Sequence, residues 1–117
     1  MTDLAAILST GKGTWGHVNR VMMDERWDNI FLITNEFGRE NFSSEKKAVF
    51  IVVDSKRGLI ELRDEIYNNL NGKLGSEVAV NLASGTGKEH TALIAALLKL
   101  GVGIRLVAAT KEGIVEV

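Results

Sequence analysis

Two short segments hold most of the residues able to do chemistry: Ser9-Thr10-Gly11-Lys12-Gly13-Thr14 and Ser84-Gly85-Thr86-Gly87-Lys88. Each combines glycines, hydroxyl side chains and one lysine. Glycines let a backbone approach a ligand closely. Where such a loop opens a helix, the first free N–H groups point outward with the helix dipole behind them. That arrangement favours anions, phosphates above all. Lys12 and Lys88 add point charges, while Ser9, Thr10, Thr14, Ser84 and Thr86 add hydroxyl donors. The blander alternative is that the glycines only serve tight turns.

The elements that must position these loops follow from hydrophobic periodicity. Leu4–Leu8 reads as a buried strand and about Thr14–Asp24 as a helix. Asn29–Thr34 and Ala48–Val53 are the second and third strands, and the polar stretch Asn35–Lys47 between them holds at most a short helix. Arg57–Asn71 is a helix with Leu59, Ile60, Leu62, Ile66, Tyr67 and Leu70 on one stripe. Val78–Leu82 is the fourth strand, followed by a helix over Thr86–Leu100 that is apolar almost all round and stops at Gly101. Ile104–Ala108 and Ile114–Val117 complete the set, the last leaving an exposed edge for pairing. Alternation of this kind predicts a Rossmann-like three-layer α/β sandwich with a mostly parallel, five- or six-stranded sheet. Right-handed crossovers then give the strand order 3-2-1-4-5. Strands one and four lie side by side, and both glycine loops share the carboxyl edge where open α/β sheets bind ligands.

Several named motifs can be tested against these segments. Gly11-x-Gly13-x-x-Gly16 matches the dinucleotide fingerprint in form, with Glu36 placed 20 residues beyond Gly16 for a ribose. A small NAD- or dinucleotide-binding protein is therefore the alternative expectation. The segment Leu82 to Glu89 has the Gly-Lys of a P-loop at Gly87-Lys88 but lacks its first glycine and its magnesium-binding hydroxyl. Ser84 is not in a nucleophile elbow, since Leu82 stands where glycine is needed. His17 and His90 begin their helices near the glycine loops and can contact a ligand or simply face solvent; no third ligand points to zinc. Trp15 and Trp27 suit either base stacking or core packing.

The chain of 117 residues makes one domain, 1–117, large enough to bury roughly two-thirds of its unfolded surface. Its 14 basic and 15 acidic residues give a net charge of −1, which gives no generic attraction to duplex nucleic acid or an anionic membrane. Any bound anion must be held by local donors. Cysteine is absent, which excludes disulfides, thiol catalysis and thiolate metal sites. The N-terminus is not a signal peptide, and no run approaches the ~20 apolar residues of a membrane span, so a cytoplasmic protein is expected. No cofactor is expected.

The stretch from Val78 to Val117 resembles the second signature of CARF domains, the CRISPR-associated Rossmann-fold sensors. In that family a strand ending in Asn leads into a Thr/Ser-Gly-Gly-Thr-Lys/Arg-like turn and a small-residue helix; Asn81, Ser84, Gly85, Thr86 and Lys88 fill comparable places. Gly87 interrupts the usual Gly-Thr-Lys run by one residue. Ser9-Thr10-Gly11 is similar to the family's first signature. The resemblance implies a cytoplasmic homodimer in antiviral defence that binds a cyclic oligoadenylate near its two-fold axis. It also implies that the ligand can be cleaved without a metal, with Lys88 stabilising the phosphorane and Ser9 or Thr10 orienting the ribose or phosphate. The nuclease or winged-helix effector domain common in the family is not expected here.

Overall fold

A strand that is apolar at every position belongs inside a sheet that is covered on both faces. The computed structural model describes residues 2–24 and 26–117, and in it Leu4 to Leu8 are all buried. Leu4 to Ile7 form most of β1 (Thr2–Ile7), which pairs in parallel with β2 (Trp27–Thr34) on one side and β4 (Glu77–Asn81) on the other. β3 (Val49–Val52) continues in parallel beyond β2, and β5 (Gly103–Thr110) beyond β4. β6 (Gly113–Glu116) folds back antiparallel on β5, giving the order β3-β2-β1-β4-β5-β6. The protein is α/β with a six-stranded, mostly parallel sheet, and the expected neighbours β1 and β4 are adjacent.

Side chains alternate across a strand, and here the alternation sorts the core into two clusters. Ala5 and Ile7 join Phe31, Ile33, Ile51, Val78 and Val80 in the first, together with Leu62, Ile66 and Leu70 of α3 (Leu59–Leu70) and Ala92, Leu93, Ala96 and Leu97 of α4 (Gly87–Leu100). Leu4, Ala6 and Leu8 join Leu32 and Ala79 in the second, with Val18, Val21 and Met22 of α1 (Trp15–Met22). Each cluster therefore depends on β1, and α3 also packs against α4.

Local chemistry explains most element ends, and also the departures from expectation. α1 starts at Trp15 because Lys12–Thr14 is wound into a tighter 3-10 turn. The polar stretch after β2 does contain a short helix, α2 (Glu36–Asn41), which begins where the Asn35 side chain accepts the Gly38 N–H at 2.9 Å. The stripe of α3 is narrower than its apolar residues suggest. Leu59 and Ile60 are 39% and 53% exposed, because they stand in the first turn, ahead of the buried Leu62. α4 starts with a capping box at Thr86 and Glu89 and stops at Gly101, whose φ of +76° favours glycine. Its apolar character is not fully absorbed, since Leu98 remains 66% exposed.

Candidate functional site

The two glycine loops meet through a pair of serines. Ser84 is fully buried, and its Oγ accepts the Ser9 N–H at 2.8 Å and donates to Ser9 Oγ at 3.0 Å. Ser9 Oγ in turn donates to the Gly11 carbonyl at 3.2 Å. Next to Ser84, Gly85 has φ +108°, and a Cβ there would sit 2.5 Å from Ile7 Cγ2. The turn thus packs directly on the end of β1, which only glycine permits. His90 Nε2 lies 2.7 Å from the Ser84 carbonyl; a carbonyl only accepts, so the ring donates from Nε2. Ser84 consequently joins the loops instead of offering a free hydroxyl.

This junction forms one wall of a cleft of about 230 Å³. Ser9 and Thr10 line it from just past the end of β1, Asn35 from the cap of α2, Ser55 from the loop after β3, and Thr86, Lys88 and Glu89 from the start of α4. Lys88 Nζ donates to the Arg57 carbonyl at 2.8 Å, which holds the ammonium beside the cleft. Glu89 closes the capping box: the Thr86 N–H donates to Glu89 Oε1 at 2.8 Å, and the Glu89 N–H to Thr86 Oγ1 at 3.2 Å. Internal partners thus answer two donors at the start of α4, and helix geometry leaves the N–H groups of Gly87 and Lys88 facing outward. The cleft pairs one ammonium with one carboxylate among neutral hydroxyl and amide groups.

The rest of the first glycine loop lies elsewhere. Lys12 Nζ sits 5.8 Å from the Trp15 ring centre and 5.6 Å from that of Phe37, a cation–π arrangement. Trp15 Nε1 donates to the Ser9 carbonyl at 2.7 Å, and its ring meets Phe42 edge-on at 5.6 Å. Trp27 is buried and donates to the Val21 carbonyl at 2.6 Å. Both tryptophans therefore pack structurally. Gly11, Lys12, Gly13 and Thr14 do not line the cleft, and Thr14 Oγ1 is buried without a partner among the described residues. A dinucleotide fingerprint needs its third glycine for close helix–strand packing, yet nothing lies within 4 Å of a Cβ at Gly16. Glu36 pairs with Arg39 at 2.7 Å, on the first turn of α2.

Asn81 stands apart from the cleft, on the β5 side. It is 1% exposed, and its Nδ2 donates to the Val107 carbonyl at 2.9 Å and lies 3.1 Å from His17 Nε2. The Ala109 N–H also donates to that nitrogen, at 3.3 Å. With two N–H donors aimed at it, His17 Nε2 is the acceptor, and a neutral ring carries its proton on Nδ1. Asn81 and His17 border a second cavity of about 200 Å³, whose other walls are apolar.

Sequence reasoning thus found Ser9, Thr10, Thr86 and Lys88 at the cleft and missed Asn35, Ser55 and Glu89. Thr86-x-x-Glu89 was readable as a capping box; Ser55 carries no local signal. The fold and cleft define an α/β protein with a polar crevice at the switch point of its sheet. Comparison with protein-family models and with curated proteins found no match. No described helix is long and apolar enough to cross a membrane.

Proposed function

We propose that this chain is a nucleotide-binding sensor domain, a Rossmann-like three-layer sandwich similar to CARF domains, whose cleft takes a phosphate and ribose of a cyclic oligoadenylate. The observation that carries this is the hydrogen-bonded meeting of Ser9 and Ser84 at the carboxyl edge of β1 and β4, with Thr10, Thr86 and Lys88 around the cleft beside it. Open α/β sheets bind ligands at that switch point. Glu89 already occupies part of the field at the start of α4, so the ammonium of Lys88 and the hydroxyl donors must hold the phosphate. Lys88 makes the exchange by trading its Arg57 carbonyl for a phosphate oxygen. Two copies facing each other about a two-fold axis enclose a ring that exceeds one cleft, and the sensor acts in the cytoplasm, in CRISPR-associated antiviral defence.

Cleavage of such a ring needs no metal. The ribose 2′-hydroxyl attacks the adjacent phosphorus, the bond to the 5′-oxygen breaks, and the hydroxyl proton passes through solvent to that oxygen, giving a 2′,3′-cyclic phosphate and a 5′-hydroxyl. Lys88 stabilises the charge on the phosphorane, and Ser9 or Thr10 orients the ribose. In a titration of cyclic oligoadenylate, Lys88→Ala weakens binding by at least ~1.5 kcal/mol, about tenfold. An unchanged affinity removes Lys88 from the site.

A further inference from the structure

We infer that Asn71 and Gly72 form a self-modification site, where the asparagine loses ammonia and becomes aspartate or isoaspartate with water as the only co-reactant. The inference stands apart from the nucleotide reading above. Of the eight asparagines in the chain, Asn71 alone is followed by glycine. Closure of an asparagine side chain onto the next backbone nitrogen is hindered by that next residue's side chain, and glycine has none.

The fold leaves this pair open. α3 ends at Leu70, and the chain turns away with the Lys73 N–H donating to the Leu70 carbonyl at 3.0 Å. Asn71 has φ −59° and ψ 125°, and Gly72 has φ +81°, which suit the second and third positions of a type II turn. The N–H of the third residue takes no part in closing such a turn. Among the described residues no backbone carbonyl accepts the Gly72 N–H. Both residues are exposed, and nothing lies within 4 Å of a Cβ placed on Gly72. Other asparagines are held more tightly: Asn19, Asn68 and Asn69 lie inside helices, and Asn29 and Asn81 in strands.

The step balances with water alone. The Gly72 nitrogen gives its proton to water and bonds to Asn71 Cγ. The Cγ–Nδ2 bond breaks, Nδ2 takes a proton from water, and ammonia departs from a five-membered cyclic imide. Water adding at Cγ reopens the ring to aspartate. Water adding at the backbone carbonyl leaves the chain running through Cγ, which is isoaspartate. The attack requires rotation about the Asn71 Cα–C bond, so the turn must open first. One backbone hydrogen bond closes it, and breaking a single such bond slows the attack by no more than about tenfold. Either product puts a carboxylate at the C-terminal end of α3, where the helix dipole opposes it and the last turn carries no basic residue. The turn precedes β4, at the amino edge of the sheet, whereas the cleft lies at the carboxyl edge.

The test is incubation of the whole chain in neutral buffer at physiological temperature, folded and in urea. Peptide mass spectrometry that separates aspartate from isoaspartate follows each asparagine, and released ammonia is measured alongside. In the folded chain Asn71 should convert at least tenfold faster than any other asparagine, with both products present. Its folded rate should lie within about tenfold of its rate in urea. Asn71→Gln keeps an amide on the exposed turn but must close a six-membered ring, and should release ammonia at least tenfold more slowly. Conversion of Asn71 no faster than that of Asn68 or Asn69 overturns the inference. A folded rate more than tenfold below the unfolded one means that the turn protects the pair, and overturns it as well. Unchanged ammonia release from Asn71→Gln places the reaction elsewhere and has the same consequence. None of these results bears on ligand binding at the cleft.

Discussion

Replacing Ser84 by alanine probes the joint that brings the two loops together. The Ser84 hydroxyl is fully buried and, among the described residues, is the one acceptor for the Ser9 N–H, at 2.8 Å. Alanine leaves that N–H without a partner in a partly buried place, which costs ~1–3 kcal/mol. A central value of about 2 kcal/mol corresponds to a fall in Tm of roughly 8 °C for a domain of this size. Ser9→Ala is the control. It keeps the N–H to Ser84 Oγ and loses only side-chain bonds that water at this half-buried position can replace. Its expected cost is therefore below ~1 kcal/mol. Both variants are measured by urea unfolding, accepting the comparison only where the m-value is unchanged. If Ser84→Ala costs no more than Ser9→Ala, the joint does not hold the loops, and the geometry of the cleft loses its explanation. Because the serines touch, the double variant should fall short of additivity by ~0.5 kcal/mol or more.

The remaining expectations are simpler. Gly85→Ala should destabilise more than Gly101→Ala on thermal melting. Both have positive φ, +108° and +76°, but only at Gly85 does the new Cβ meet a neighbour, Ile7; the Gly101 change should cost about 1–2 kcal/mol. Gly16→Ala should stabilise the protein by ~0.4–1 kcal/mol, because the exposed position in the first turn of α1 has room for a Cβ and alanine narrows the unfolded ensemble. A loss of stability there would restore the close packing that a dinucleotide fingerprint requires. The side-chain hydrogen bonds from Arg26 hold the Asp24 carboxyl below its ordinary value. A depressed carboxylate contributes stability above its unfolded pKa, and that stability is lost as pH falls through the folded value. Asp24→Asn should therefore cost up to ~1 kcal/mol at pH 7 in urea unfolding, with the difference shrinking as pH falls below the unfolded carboxylate value and through the lower folded one. A difference that persists in acid would mean that the pair is not its cause.

The sheet was legible because its interior strands are apolar at nearly every position and the helices between them keep a 3.6-residue stripe. Leu4 to Leu8 and Val78 to Val80 could only be interior, and right-handed crossovers then put β1 beside β4. Where reasoning ran out, the cause was contact between distant segments. Lys12 was expected among the phosphate donors, but Trp15 and Phe37 converge beneath its ammonium, and Phe37 belongs to a helix that follows another strand. Ser55 reaches the cleft from the loop after β3, in a segment with no motif. Asn81 was grouped with the loop it precedes in sequence, yet strand alternation turns it toward Val107 and His17. Glu89 was not singled out, and although the Thr86-x-x-Glu89 spacing carries a capping signal, its effect on the charge of the cleft needed the fold.

The most direct test of the account is a thermal-shift screen with cyclic tri-, tetra- and hexa-adenylate beside NAD, ATP and a linear oligoadenylate. A ligand at 100 times its Kd adds about 2.7 kcal/mol, well within reach of a melting curve. The account predicts a shift with one cyclic species and its reduction in Lys88→Ala. A melting curve unmoved by every cyclic species, or moved by NAD alone, would contradict it.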